Sequence, residues 1–211
     1  MHFLTSFFTL FALIPGSTSN KCINDVQSSI SEQISSPETD ARIETFPYMA
    51  SFGKFRGPDW INICAASVLS ENVLLTAAHC FKKRDLTNFQ VLLGQSNLNS
   101  QLEQSTRQLI DISKVEQHPK YDNVSCYFDI GLIYTAKPIV FNDAVKPLCL
   151  PEKRSDIMHG LSTSLAGWGA TSERNRKELI LRDINLAIYS KEKCNKKYDI
   201  TGIKNIPSSK M

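Results

Sequence analysis

Short apolar runs, separated by turn residues, recur along most of the chain and constrain its fold more than any other feature. The runs end at glycine, at proline or in short polar clusters, which are strong turn signals. Short strands at this spacing are typical of an antiparallel barrel or sandwich. We therefore predict an all-β fold. The runs cover residues 47–55, 65–69, 73–76, 89–93, 109–115, 130–134, 161–168 and 179–189.

A connector between two structural units is predicted at residues 138–151. This stretch contains three prolines and shows little alternation of apolar and polar residues. Proline is rare inside strands because it cannot donate a hydrogen bond to a neighbouring strand. The runs before and after the connector would then belong to separate units.

The N-terminus has the features of a secretory signal peptide. Residues 3–14 form an uncharged apolar run, which is too short to span a bilayer. Ser17 and Ser19 then stand at the small-residue positions expected before a cleavage site. We predict a signal peptide at residues 1–19, a secreted protein and no association with a membrane.

Charge and cysteine content limit the partners and cofactors. The net charge of +3 does not call for a nucleic-acid partner. In an exported chain, six cysteines favour disulfides. There is no CxxC pair and no His/Cys cluster at ligand spacing, so we expect no metal and no cofactor. The sequon Asn123-Val124-Ser125 predicts a glycosylated asparagine in an exposed loop.

Two places carry residues suited to chemistry. His79 stands among small residues just after the run at 73–76, so its ring can project from a crowded strand end. A bridge between Cys64 and Cys80 would fix the backbone on either side of that ring. Asp129 precedes a run that looks buried. A buried carboxylate needs a partner, and a histidine N–H is a common one.

Four segments resemble the chymotrypsin/trypsin-like serine protease family and occur in that family's order. They are TAAHC at 76–80, DIGLI at 129–133, VKPLCLP at 145–151 and AGWG at 166–169. The resemblance implies a fold of two six-stranded antiparallel β-barrels with the active site in the cleft between them.

The same resemblance implies the roles of the two candidate residues. His79 would be the general base and Asp129 the acid that orients it. The first barrel would cover about 47–145, and a partial second barrel about 150–211. Proteins or peptides, as substrates or inhibitors, would be the partners of a monomeric endopeptidase.

The family's nucleophile segment has no counterpart in the sequence. The family places its serine in a glycine-rich GDSGG segment, and no such segment occurs before Met211. Ser67 and Ser172 lack that glycine context. We therefore expect a C-terminally truncated domain that does not hydrolyse peptides. Three interpretations stay open: an incomplete sequence of an active enzyme, a secreted pseudoprotease that binds without cleaving, and an unstable product without function.

The activation site of a zymogen has two candidate positions. Cleavage after Arg42 offers the basic residue that the family uses, but leaves too few residues before Pro47. Cleavage after Gln33, which makes Ile34 the new terminus, fits the length better and is the favoured register. It gives a propeptide-like segment at 20–33 and a peptidase domain at 34–211.

The remaining cysteines are assigned through the resemblance. A Cys22–Cys149 bridge would tether the propeptide to the connector. Cys194 resembles a family cysteine whose usual partner comes later in the chain, and Cys126 has no counterpart. A Cys126–Cys194 bridge is the alternative.

Two other histidines and a tryptophan are assigned no functional role. His118 and His159 carry no motif and are predicted to be surface residues, and Trp168 is predicted to be a packing residue.

Overall fold

The computed structural model describes residues 39–81, 85–99, 105–150, 162–169 and 179–190, and the single positions 192 and 196. The predicted signal peptide and propeptide-like segment lie outside these residues, as do His159 and Ser172. The strands are β1 (Thr39–Asp40), β2 (Met49–Arg56), β3 (Asp59–Ser70), β4 (Val73–Thr76), β5 (Gln90–Leu93), β6 (Gln108–Gln117), β7 (Gly131–Thr135), β8 (Ser162–Gly167) and β9 (Arg182–Ala187). Within the described ranges, no helix is long and apolar enough to cross a bilayer.

Six strands form a closed antiparallel barrel in the order β2-β3-β4-β7-β6-β5. The last pair closes the ring, with Ala50 of β2 opposite Leu93 of β5. Closure leaves no strand of this sheet with an unpaired edge, which is how barrels avoid exposing backbone hydrogen-bonding groups. The predicted all-β fold is confirmed.

Two glycines are required where the barrel's backbone segments approach each other closely. At Gly53 the register between β2 and β3 shifts, and a Cβ there would lie 2.2 Å from the Ile61 carbonyl oxygen. At Gly94 the φ angle is +75°, and a Cβ would lie 2.0 Å from the carbonyl oxygen of Thr106. Any side chain at either position would force the backbone apart.

The barrel interior is filled by apolar side chains from alternate strand positions, as the pleat of a strand requires. Phe52 lies at the centre of this cluster and is 0% exposed. Its ring packs against Phe81 and Phe89, with ring centroids 5.7 and 5.2 Å away. Other members are Ala50, Ala66, Val68, Leu74, Val91, Leu93, Ile110 and Ile133.

A second, three-stranded sheet has the order β1-β9-β8. A separate apolar cluster joins this sheet to the outside of the barrel. Trp168 belongs to this cluster and is 3% exposed, and its indole N–H donates to the Ser96 carbonyl at 2.8 Å. The cluster also contains Ile43, Phe46, Tyr48, Leu92, Leu98, Leu148 and Leu181.

Candidate active site

A tight 3₁₀ turn at Ala78–Phe81 follows β4 and carries His79. Ala77 and Ala78 are buried, so only small side chains fit beside the histidine. The neighbouring strand β7 begins at Gly131, where a Cβ would lie 3.4 Å from the Ala78 Cα and 2.6 Å from the Phe81 ring. The turn therefore packs closely against β7. The imidazole of His79 remains partly exposed to solvent.

A disulfide joins Cys64 of β3 to Cys80 of the turn. This is the bridge predicted from the sequence around His79. Just before the turn, the hydroxyl of Thr76 at the end of β4 donates to the Ala65 carbonyl of β3 at 2.8 Å. The turn is thus tied to β3 through both a covalent bond and a buried hydrogen bond.

Asp129 contacts His79 through both carboxylate oxygens. The Oδ2 atom lies 2.7 Å from the ring Nδ1, and Oδ1 accepts the backbone N–H of His79 at 2.8 Å. The side chain of His79 is 28% exposed and that of Asp129 is 16% exposed. Because an ionised carboxylate only accepts hydrogen bonds, Nδ1 must carry the proton. In the neutral ring, Nε2 then holds the lone pair and can accept a proton.

The loop before Asp129 places a tyrosine beside the carboxylate. Burial raises the pKa of Tyr121, and the nearby carboxylates of Asp129 and Asp122 raise it further. Its hydroxyl is buried and has no hydrogen-bond partner among the described residues. Tyr121 therefore stays neutral and contributes no second anion to the site.

The other sequence-predicted residues lie apart from the pair or outside the described chain. Ser67 is 1% exposed inside β3, so it cannot present its hydroxyl to a substrate. Asn123 lies in an exposed loop, and its glycosylation stays a prediction. The sulfurs of Cys64 and Cys80 lie within 4.8 Å of a His79 ring nitrogen. They are bonded to each other, so they cannot offer thiolates to a metal ion.

Cys126 and Cys149 are half-buried and form no disulfide with another described cysteine. Their expected partners, Cys194 and Cys22, lie outside the described residues. The bridges Cys126–Cys194 and Cys22–Cys149 therefore stay predictions.

The first candidate cleavage site, Arg42–Ile43, lies in backbone held on both sides. The Arg42 side chain is 81% exposed. However, Ile43 is 3% exposed, and its N–H donates to the Ser96 hydroxyl at 2.8 Å. The N–H of Ala41 bonds to the Leu181 carbonyl. A protease must pull this segment out of the fold before it can bind it.

We expect trypsin to leave the Arg42–Ile43 bond intact in the folded protein. Cleavage there would require local opening, so its rate should rise about fivefold in the variant Ser96→Ala, which loses one hydrogen bond. Mass spectrometry of timed digests checks this. Rapid native cleavage after Arg42, at the same rate in both proteins, would contradict the prediction and favour activation at Arg42.

Comparison with known proteins identifies the family. The family model described as Trypsin matches residues 37–207. Trypsin 5G1 of Aedes aegypti is 32% identical over 156 residues, which are 74% of this chain and 55% of that protein. Venom serine protease 34 of Apis mellifera is 34% identical over 165 residues, 76% of this chain and 40% of that protein. The chain thus spans about half the length of the curated relatives it matches.

A solved structure matches the fold. Human heparin binding protein superposes with a TM-score of 0.65 at 24% identity, covering 74% of this chain and 67% of that one. At this identity the match bears on the fold alone, and it agrees with the closed barrel described above. The family match covers most of the chain, including the turn of His79 and the loop of Asp129. This chain therefore belongs to the trypsin family of serine proteases.

Proposed function

We propose that this chain supplies the general base and its orienting acid to a secreted trypsin-like serine endopeptidase, which hydrolyses peptide bonds in proteins. His79 is the base and Asp129 the acid. The observation that carries the proposal is the double contact of Asp129, through Oδ2 to the ring Nδ1 at 2.7 Å and through Oδ1 to the backbone N–H at 2.8 Å. A carboxylate fixed at two points can hold the imidazole in one tautomer and one orientation.

The chemistry follows from that tautomer. With Nδ1–H donated to Asp129, the Nε2 atom of His79 accepts the proton of a hydroxyl nucleophile and later delivers it to the leaving amine. The carboxylate stabilises the imidazolium that forms in between. Its low exposure, 16%, strengthens this stabilisation because little water screens the two charges.

No nucleophile segment of the family is recognisable in the 211 residues. The sequence contains no GDSGG segment, and Ser67 is buried in β3. Without the serine, the base has nothing to activate. Without the backbone N–H groups of an oxyanion hole, about 2.7–4 kcal/mol of transition-state stabilisation per donor is missing. We propose that these 211 residues alone do not cleave peptide bonds.

A binding function is the second candidate. The same observation favours it, since an intact His79–Asp129 pair without a nucleophile can dock a substrate or an inhibitor but cannot turn it over. In that case the protein is a secreted pseudoprotease that regulates a partner. A fluorophosphonate probe, which labels activated serines, addresses this directly. We expect no labelling of the purified 211-residue chain under conditions that label trypsin, and labelling of any serine would overturn the proposed inactivity.

The base itself has an independent test that needs no nucleophile. In protein labelled with ¹⁵N-histidine, we expect the His79 resonances at neutral pH to show the Nδ1–H tautomer. The variant Asp129→Asn should switch the ring to the Nε2–H tautomer, because an amide can donate to Nδ1. If wild-type His79 is in the Nε2–H tautomer, the proposed role of the pair is wrong.

Secretion and processing complete the proposal. The apolar run at 3–14 and the small residues after it support removal of residues 1–19 on export. The exposed loop of Asn123 supports glycosylation there. The buried Ile43 supports activation after Gln33 rather than after Arg42, and hence a peptidase domain that begins at Ile34.

A further inference from the structure

The loop that leads into Asp129 has an unusual backbone. Three non-glycine residues of the described chain have positive φ, and two of them are Cys126 at 56° and Phe128 at 55°. Residues with a side chain avoid this region, so the surrounding structure must hold them there. The carboxylate of Asp129 can stay on His79 only if this strained loop is kept in place.

His118 holds the residues on both sides of Asp129. Its backbone N–H donates to the Ile130 carbonyl at 2.9 Å. Its ring stacks on the ring of Phe128, with centroids 4.8 Å apart and an interplanar angle of 8°. The N–H of Ile130 in turn donates to the Phe128 carbonyl at 2.8 Å. Asp129 is therefore the middle residue of a turn whose two ends both contact His118.

The orientation of the His118 ring is itself fixed. Its Nδ1 atom accepts the backbone N–H of Lys120 at 3.1 Å. This hydrogen bond holds the imidazole in the plane that stacks on Phe128. From the sequence, His118 is predicted to be a surface residue, and in the structure it is half-buried.

The preceding residue acts on the other member of the pair. Gln117, the last residue of β6, donates from its side-chain Nε2 to the Ala78 carbonyl at 2.8 Å. Ala78 is the residue immediately before His79. The backbone of Gln117 also pairs with Gly131 at the start of β7. Gln117 thus links the turn that carries His79 to the end of β6 and, through the pairing with Gly131, to the start of β7 just after Asp129.

We propose that Gln117 and His118, hereafter the β6 clamp, are positioning residues that hold His79 and Asp129 in register. The inference rests on the proposed role of that pair and extends it to two residues that contact neither substrate nor the reacting atoms. Gln117 fixes the backbone before His79, and His118 fixes the backbone on both sides of Asp129. Loss of either should lengthen the His79–Asp129 contact without removing a member of the pair.

The readout is the Nδ1 proton of His79, which exchanges with water faster when its hydrogen bond to Asp129 is loosened. We expect His118→Ala to broaden this proton resonance and speed exchange about tenfold, since both the ring stacking and the contact with Lys120 are lost. His118→Phe keeps a ring over Phe128 and should restore most of the protection. Gln117→Leu should speed exchange about fivefold, the effect of one lost hydrogen bond.

A matched control lies at the other end of the same strand. Gln108 also bonds through its side-chain amide to backbone, donating to the Val140 carbonyl at 2.6 Å and accepting the Val140 N–H at 2.9 Å. Gln108→Leu therefore removes comparable hydrogen bonds from β6, away from the pair. Because Gln108 makes two such bonds and Gln117 one, this variant should lower the melting temperature at least as much as Gln117→Leu, yet leave the exchange of the His79 proton unchanged.

The outcomes separate the clamp from the pair. If His118→Ala and Gln117→Leu leave the His79 Nδ1 proton as protected as Gln108→Leu does, the proposed role of the β6 clamp is wrong. The proposed role of the His79–Asp129 pair is then unaffected. If the wild-type protein shows no protected His79 Nδ1 proton, or Asp129→Asn does not abolish it, the pair and the clamp are both wrong. Should His118→Ala fail to fold, His118→Asn, which removes the ring but keeps a polar side chain, replaces it with the same expected loss of protection.

Discussion

Replacing Phe52 by alanine is expected to lower the free energy of unfolding by about 3–5 kcal/mol, the range for large aromatic residues truncated in a core. The side chain is 0% exposed, and its ring lies between those of Phe81 and Phe89. Alanine would leave a cavity in the middle of a closed barrel. The neighbouring strands cannot move in to fill it, because every strand is hydrogen-bonded on both sides. Urea unfolding followed by circular dichroism measures the change.

Phe55→Ala is the matched control for this variant. Phe55 lies near the end of the same strand, is 39% exposed and packs on Trp60. Its truncation should cost only about 1 kcal/mol, the contribution of one partly exposed aromatic pair. Equal losses for the two variants would show that the barrel interior is not the main source of stability.

Removing the disulfide with Cys64→Ala and Cys80→Ala together is expected to cost about 3 kcal/mol, the value for a closed loop of some 15 residues. The two cysteines are 16 residues apart in sequence. The bridge restricts the unfolded chain, and in the folded protein it anchors the turn of His79 to β3. The midpoint of urea unfolding, compared with that of the wild-type protein under the same oxidising conditions, gives the loss.

Cys149→Ala provides the control for the disulfide. Cys149 is half-buried and forms no bridge within the described part of the chain, so this variant should change the unfolding free energy by less than about 1 kcal/mol. A loss as large as that of the double variant would instead support the predicted Cys22–Cys149 bridge. If the double variant is as stable as the wild-type protein, the disulfide does not stabilise the fold by restricting the unfolded chain, and the prediction is wrong.

Much of the barrel could be predicted from the sequence because alternation of apolar residues reports which face of a strand is buried. The runs at 73–76 and 130–134 correspond to β4 and β7 within one residue. Strand β3 was harder, since it begins at Asp59 and its first half mixes polar with apolar residues. Strand β1 gives no local signal, because its two residues are extended only through pairing with β9.

The two members of the site could be selected from the sequence, whereas the residues that position them could not. His79 and Asp129 stand in motifs that resemble a known family. Their separation in sequence says nothing about the double contact that joins them. His118 was missed because its role depends on the stacking of its ring on Phe128, and that contact requires a positive φ angle in a residue that normally avoids it. A histidine–proline pair shortly before the aspartate was the only available signal.

His79 and Asp129 belong to neighbouring strands of one closed ring. The histidine follows β4 and the aspartate precedes β7, and these strands are paired, with Thr76 opposite Gly131. The contact between imidazole and carboxylate is therefore set inside the barrel, where the registry of one pair of strands determines the separation of base and acid.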